Sequence, residues 1–202
     1  MMDPKALFQI TYGLYVLTTR REGRDNGCII NTVMQIAENP DRLAVAVSKR
    51  NLSCETVRET GVFNVSTLTT GADFALFQRF GMQSGRDTDK FEGFPAVART
   101  ENGLLRLTEN TNAYLSAKVV DQVDLGTHWL FIAEVTGGEV LSGDPPCTYS
   151  YYQSHIKPKP AAAKKKSWVC QICGYVHEAD ELPEDFVCPL CKHGREVFVP
   201  VE

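Results

Sequence analysis

The chain has 202 residues, 43% of them hydrophobic and 23% charged, with a formal net charge of -4. Such a length holds one medium domain and a small one, and the composition excludes a disordered or fibrous chain. The charge is too mild for nucleic acid as the main partner, and no apolar run approaches the ~20 residues that cross a bilayer, so no membrane role is expected.

The start, Met1-Met2-Asp3-Pro4-Lys5, lacks the basic residues and apolar core of a secretion signal, and a cytoplasmic location is expected. Pro4–Gln9 is predicted to be helical. Predicted strands, rich in Val, Ile, Thr and aromatics, are Tyr12–Arg20, Cys28–Ala37, Leu43–Ser48, Val62–Leu68, Thr111–Val123 and Trp129–Leu141. Turn signals separate them at Arg24-Asp25-Asn26-Gly27, Asn39-Pro40-Asp41, Asp124-Leu125-Gly126 and Ser142-Gly143-Asp144-Pro145-Pro146. Two further helices are predicted: Ser53–Thr60, ended by Gly61, and Ala72–Phe80, ended by Gly81. Strands in this number with so few helices predict a mainly β fold, a closed or split antiparallel barrel rather than a parallel sheet. No Gly-x-Gly-x-x-Gly or Walker motif is present, which argues against a Rossmann fold.

Between a predicted strand and a predicted helix, Ser48, Lys49, Arg50, Asn51 and Ser53 gather polar and positive groups. With the first N–H groups of that helix they make a natural phosphate seat. Plain helix capping by Asn51 or Ser53, with Lys49 and Arg50 in solvent, accounts for the same residues. Further on, residues 154–167 hold two prolines and five lysines but one large aliphatic residue, and read as a tether between residues 1–153 and 168–202. The tail segment carries seven acidic and two basic side chains, an acidic surface suited to a basic partner or simply a solvated one.

Of seven cysteines, four lie in the last 33 residues, the pattern of a local metal site in a reducing compartment. Cys170-Gln171-Ile172-Cys173 and Cys188-Pro189-Leu190-Cys191 stand fourteen residues apart. Two such hairpins offer four thiolates at tetrahedral angles to zinc or iron. A segment this short buries too little apolar area to fold alone, so the metal is expected to be needed for folding. Spacing alone leaves a structural zinc ribbon open. His177 and His193 lie beside the cluster and read as surface residues.

The residues around these cysteines, with Gly174-Tyr175 after the first pair and Leu182-Pro183-Glu184-Asp185-Phe186-Val187 before the second, resemble the knuckles of rubredoxins. Trp168, Tyr175, Phe186 and Phe198 fall where that family places its small aromatic core, although the segment between the knuckles is shorter than usual. The resemblance implies one iron held by Cys170, Cys173, Cys188 and Cys191, with Gly174 letting backbone N–H groups turn towards sulfur.

The first 153 residues are similar to the flavin reductase-like family. The resemblance rests on Asn31-Thr32, the Ser48–Ser53 segment, Phe80-Gly81-Met82-Gln83-Ser84-Gly85-Arg86-Asp87-Thr88-Asp89-Lys90-Phe91, and Gly126-Thr127-His128-Trp129-Leu130-Phe131. It implies an FMN-binding split barrel and a homodimer. Carried over, Asn31, Thr32 and Val33 contact the flavin, and Ser48, Lys49, Arg50, Asn51 and Ser53 hold its phosphate. Lys90 and His128 lie near the ring in catalytic positions, with Tyr151 or Tyr152 covering it. Lys90 otherwise reads as an ion-pair partner of Asp87 or Asp89 on a surface loop, His128 as a satisfied strand residue, and Cys28 and Cys54 as small buried apolar side chains.

Together the two resemblances imply an electron-transfer protein. NAD(P)H is the expected donor, FMN and a single iron held by four cysteines the expected cofactors, and a flavodiiron-type protein that reduces dioxygen or nitric oxide the expected acceptor. A flavin or ferric reductase with a structural zinc ribbon, and a passive carrier reduced by a separate reductase, remain as alternatives.

Overall fold

The computed structural model describes residues 3–158, 167–179 and 181–201. Met1–Pro158 and Lys159–Glu202 separate into two units, each with its own core.

In the first unit, β1 (Tyr15–Arg21), β2 (Arg24–Ile30), β3 (Val33–Ala37), β4 (Arg42–Ser48), β5 (Val62–Leu68), β8 (Thr111–Asp124) and β9 (His128–Val140) form an antiparallel sheet in the order β2-β1-β5-β8-β9-β4-β3. A side ribbon pairs β6 (Val97–Arg99) with β7 (Leu105–Leu107). In β4 the period-2 alternation is plain: Leu43, Val45 and Val47 are buried, and Val45 and Val47 lie opposite Phe131 and Trp129 of β9. These side chains share one core with Cys28 and Ile30 of β2, and with Cys54 and Val57 of helix α1 (Leu52–Thr60). Strands near opposite ends of the sheet thus meet in one cluster, and α1 packs across the seam of the open barrel. Gly61 ends α1 at φ 70° and donates its N–H to Val57 O at 2.8 Å, a left-handed cap open to glycine without penalty. Val16 and Leu17 are both fully buried, because consecutive residues of β1 face opposite ways. Leu17 enters the first core, and Val16 a second one with Leu68, Phe77, Phe80 and Tyr152.

The structure corrects four sequence expectations. Arg24–Gly27 is not a turn but the start of β2; the hairpin turns at Glu22 and Gly23, whose φ angles are 52° and 79°. Cys28–Ala37 is two strands, interrupted at Asn31-Thr32. The helix expected over Ala72–Phe80 is a single turn, α2 (Phe74–Phe77), capped by the Asp73 carboxylate and continued as a wider π turn over Gln78–Met82 that runs through Gly81. Residues 154–156, expected to open a tether, instead belong to a further π turn, Tyr152–Ile156, after α3 (Tyr149–Tyr151), and Ile156 packs on the second core. Residues 159–166 of that tether lie outside the described residues.

The second unit holds β10 (Ser167–Cys170), β11 (Val176–Glu178) and β12 (Phe198–Val201) in the order β11-β10-β12. Its core consists of Cys170, Leu182, Cys188 and Phe198, with Trp168, Tyr175 and Phe186 packed against them.

Candidate functional site

The N-terminal end of α1 opens on a cleft of about 210 Å³ lined by Asn26, Cys28, Arg50, Asn51, Ser53, the Gly81–Gly85 segment and Lys90. Asn51 occupies the N-cap position, yet its side chain makes no capping bond, so capping does not explain it. The first turn of the helix borders the cleft, and its one acidic residue, Glu55, is taken up by an ion pair with Arg86. Lys90 is only 4% exposed and pairs with neither Asp87 nor Asp89 in the way the surface-loop reading expected. Its Nζ donates to Gly27 O at 2.9 Å and to Phe80 O at 3.2 Å, tying β2 to the π turn. Burial pulls its pKa below the ordinary lysine value. Cys54 is a buried core residue, as expected of a small apolar side chain, but Cys28 also lines the cleft. Burial pushes the Cys28 thiol pKa up, against the pull of Ser53, Lys90 and Asn51 around the sulfur. Arg86 and Glu55 form a two-bond ion pair that fastens the loop after Gly85 to α1. A larger hollow of about 700 Å³, between Gln9–Tyr12 and Tyr149–Ser154, has no charged group in its lining. It cannot neutralise a phosphate; the smaller cleft can.

The remaining expected flavin contacts lie elsewhere on the same unit. Ser48 is paired with His128 across β4 and β9, on the sheet face opposite the first core. Thr32 is adjacent, its Oγ1 donating to Ala46 O at 2.7 Å, and Asn31 precedes it in the break before β3. Val33 instead packs against the first core. His128 is exposed, with Nδ1 2.9 Å from Thr127 Oγ1. Lys49 is not in the cleft: it pairs with Asp124 at 2.5 Å and lies 5.1 Å from the Trp129 ring centroid. Tyr152 is a core residue whose ring lies tilted against Phe77, Tyr151 stacks on His155, and neither lines the cleft. The segment 48–53 thus links two clusters, the cleft and the outer sheet face. Asn26 is the member that sequence reasoning missed, because Asn26-Gly27 reads as a turn dipeptide.

In the second unit the sulfurs of Cys170, Cys173, Cys188 and Cys191 all lie within 4.8 Å of one another. The two knuckles match. Backbone N–H groups of Ile172 and Cys173 reach the Cys170 sulfur, and those of Leu190 and Cys191 reach Cys188. Tyr175 N–H serves Cys173, and His193 N–H serves Cys191. Burial works against the Cys188 thiolate, but its N–H donors and sulfur neighbours hold the pKa at about 6. Gly174 takes φ 72° to allow this turn, and Lys192 takes φ 62° at the equivalent place in the second knuckle. Four soft donors converging with N–H support suit a tetrahedral iron or zinc ion. Cys173 is exposed, in keeping with the short segment between the knuckles.

Residues 7–159 match the family model for the flavin reductase like domain, and residues 168–199 the model for the rubrerythrin, rubredoxin-like domain. The chain is 36% identical to the high molecular weight rubredoxin of Moorella thermoacetica, over 98% of this chain and 99% of that protein. It is also 36% identical to the ferric-chelate reductase (NAD(P)H) of Archaeoglobus fulgidus, over 78% of this chain and 93% of that one. Among solved structures, the NADH:FAD oxidoreductase of Streptomyces globisporus C-1027 superposes with a TM-score of 0.65 at 19% identity, over 75% of this chain and 93% of that chain, a likeness of fold. The chain therefore belongs to the flavin reductase-like family, as an oxidoreductase whose flavin-binding domain is fused to a rubredoxin-like domain with a four-cysteine site.

Proposed function

We propose that the protein takes electrons from NAD(P)H, passes them through FMN and an iron centre held by four cysteines, and delivers them to an acceptor protein of the flavodiiron type. The observation that carries this reading is the pairing, in one chain, of a cationic cleft at a helix start with a four-thiolate site braced by backbone N–H groups. Flavin supplies the change from two-electron to one-electron chemistry, which a single iron cannot supply alone. The chain's own residues bind and orient. Arg50, Lys90, Ser53 and the N–H groups at the start of α1 fit a phosphomonoester, and the small cleft favours FMN over a dinucleotide, which continues beyond its first phosphate. Ser48, Asn31, Thr32 and His128 lie beyond the cleft at the β3–β4–β9 end and suit the ribityl chain and ring. Cys170, Cys173, Cys188 and Cys191 hold the iron.

That outer face also supports a homodimer. Met34, Ala44 and Ile132 form one apolar row across β3, β4 and β9, and Ala46, Leu130 and Val123 form the next across β4, β9 and β8. Met34 is 62% exposed and Val123 45%, an apolar surface suited to a second copy of the chain. The lysine- and proline-rich composition of residues 154–167 supports reading the stretch between the two units as a tether by which the tail unit meets its partners.

The test is anaerobic reduction of the full-length protein by NADH and by NADPH in turn, following flavin and ferric-thiolate absorption separately. Both should bleach, and should recover when a flavodiiron protein and dioxygen or nitric oxide are added. Zinc in a colourless tail unit, after growth in iron-replete medium, would sink the electron-transfer reading.

A further inference from the structure

Asn26 and Ser53 meet at the back of the cleft, 7% and 0% exposed, and belong to different elements, β2 and α1. The Asn26 amide Nδ2 donates to Ser53 Oγ at 2.9 Å. That bond occupies a lone pair of the hydroxyl and leaves its proton for another acceptor. The neighbour within reach of Ser53 is the Cys28 sulfur, whose pKa burial raises, so that it stays a thiol and a weak acceptor. An anion in the cleft is a far better one. Asn26 is itself held in place: a Cβ built on Gly85 would collide with Asn26 Oδ1, so only the bare Gly85 backbone fits against the amide. The position is neutral, buried and aimed.

We propose that Asn26 is a positioning residue that keeps the Ser53 hydroxyl a hydrogen-bond donor to the terminal phosphate of the bound flavin. The inference rests on the phosphate reading of the cleft given above. It explains why an amide stands here. A carboxylate would accept the Ser53 proton itself, withdrawing the donor, and would set a negative charge against the phosphate.

The experiment compares FMN with riboflavin, which lacks only the phosphate, on full-length protein stripped of flavin but holding its metal. Wild type should favour FMN by about a hundredfold or more, the sum of several charge-assisted bonds. Asn26→Asp should cut that preference by about tenfold or more, and Asn26→Ala by about three- to tenfold, with riboflavin affinity within about twofold of wild type. A bond that merely ties β2 to α1 would weaken both flavins alike. Equal loss of both ligands, or an unchanged FMN preference in the two variants, overturns the proposal. If the charged variant fails to fold, judged by its melting transition, Asn26→Ala decides alone. A wild-type protein that binds riboflavin as tightly as FMN would instead refute the phosphate reading, a result distinct from both.

Discussion

Replacing Lys90 by methionine keeps the length of the side chain and removes its ammonium. The two carbonyls it serves, Gly27 O and Phe80 O, lie 63 and 10 residues away in sequence, and both bonds are buried. A buried acceptor left without a donor costs ~1–3 kcal/mol, so two cost ~2–6 kcal/mol. Some of this returns, because the variant no longer buries a charge, and a net loss of ~2 kcal/mol is expected. For a unit of this size that lowers the melting temperature by ~4–8 °C. The pH dependence has a definite sign. Burial lowers the folded pKa of Lys90 below 10.5, so near and above the folded value the unfolded chain binds more protons. Stability from this group is therefore least at neutral pH and grows as pH rises towards 10.5, widening the gap between wild type and variant. FMN affinity should move the other way, falling with pH as the ammonium near the phosphate is lost, while riboflavin affinity stays level. Trp129 fluorescence, in a Trp168→Phe background, follows melting of the first unit at neutral pH and at about pH 9.5. A variant that melts with wild type and keeps its preference for FMN would refute both the clamp and the charge argument.

Two further outcomes follow from the geometry. Cys173→Ser should abolish ferric-thiolate absorption, since a serine hydroxyl is a poor replacement for a soft thiolate, and should leave FMN binding by the first unit intact. The tail unit should then become protease-sensitive, because Leu182 and Phe198 are its only fully buried non-cysteine hydrophobics among the described residues. Met34→Lys combined with Leu130→Glu puts charge on the apolar outer face and should shift a dimer towards monomer in sedimentation at micromolar concentration, with a weakening of about tenfold or more. An unchanged sedimentation coefficient would refute a dimer formed through this face.

Features carried by short stretches of chain are legible in the sequence. Each cysteine knuckle closes within six or so residues, so Cys170–Tyr175 and Cys188–His193 announce both the donors and the backbone turn around them. The β4 alternation and the Gly61 cap are equally local, one set by the period of a strand and the other by the left-handed φ that only glycine adopts freely. The cleft was legible only in part. The cationic run Lys49-Arg50 marked the segment that borders the cleft, but which of the two faces it depended on Asp124, 75 residues away, which takes Lys49. For Lys90 the sequence left two readings, a place near the flavin ring and a surface ion pair among aspartates, and only the approach of Gly27 and Phe80 made it a buried clamp. Asn26 shows the reason most clearly. Asn-Gly is a strong hairpin signal, yet the chain turns four residues earlier, at Glu22-Gly23, because pairing Leu17 with Cys28 sends both buried side chains into the same core. A slip of one residue would turn them out to the other face. Local preference proposed the turn, and burial across the sheet chose the register that brings Asn26 to Ser53.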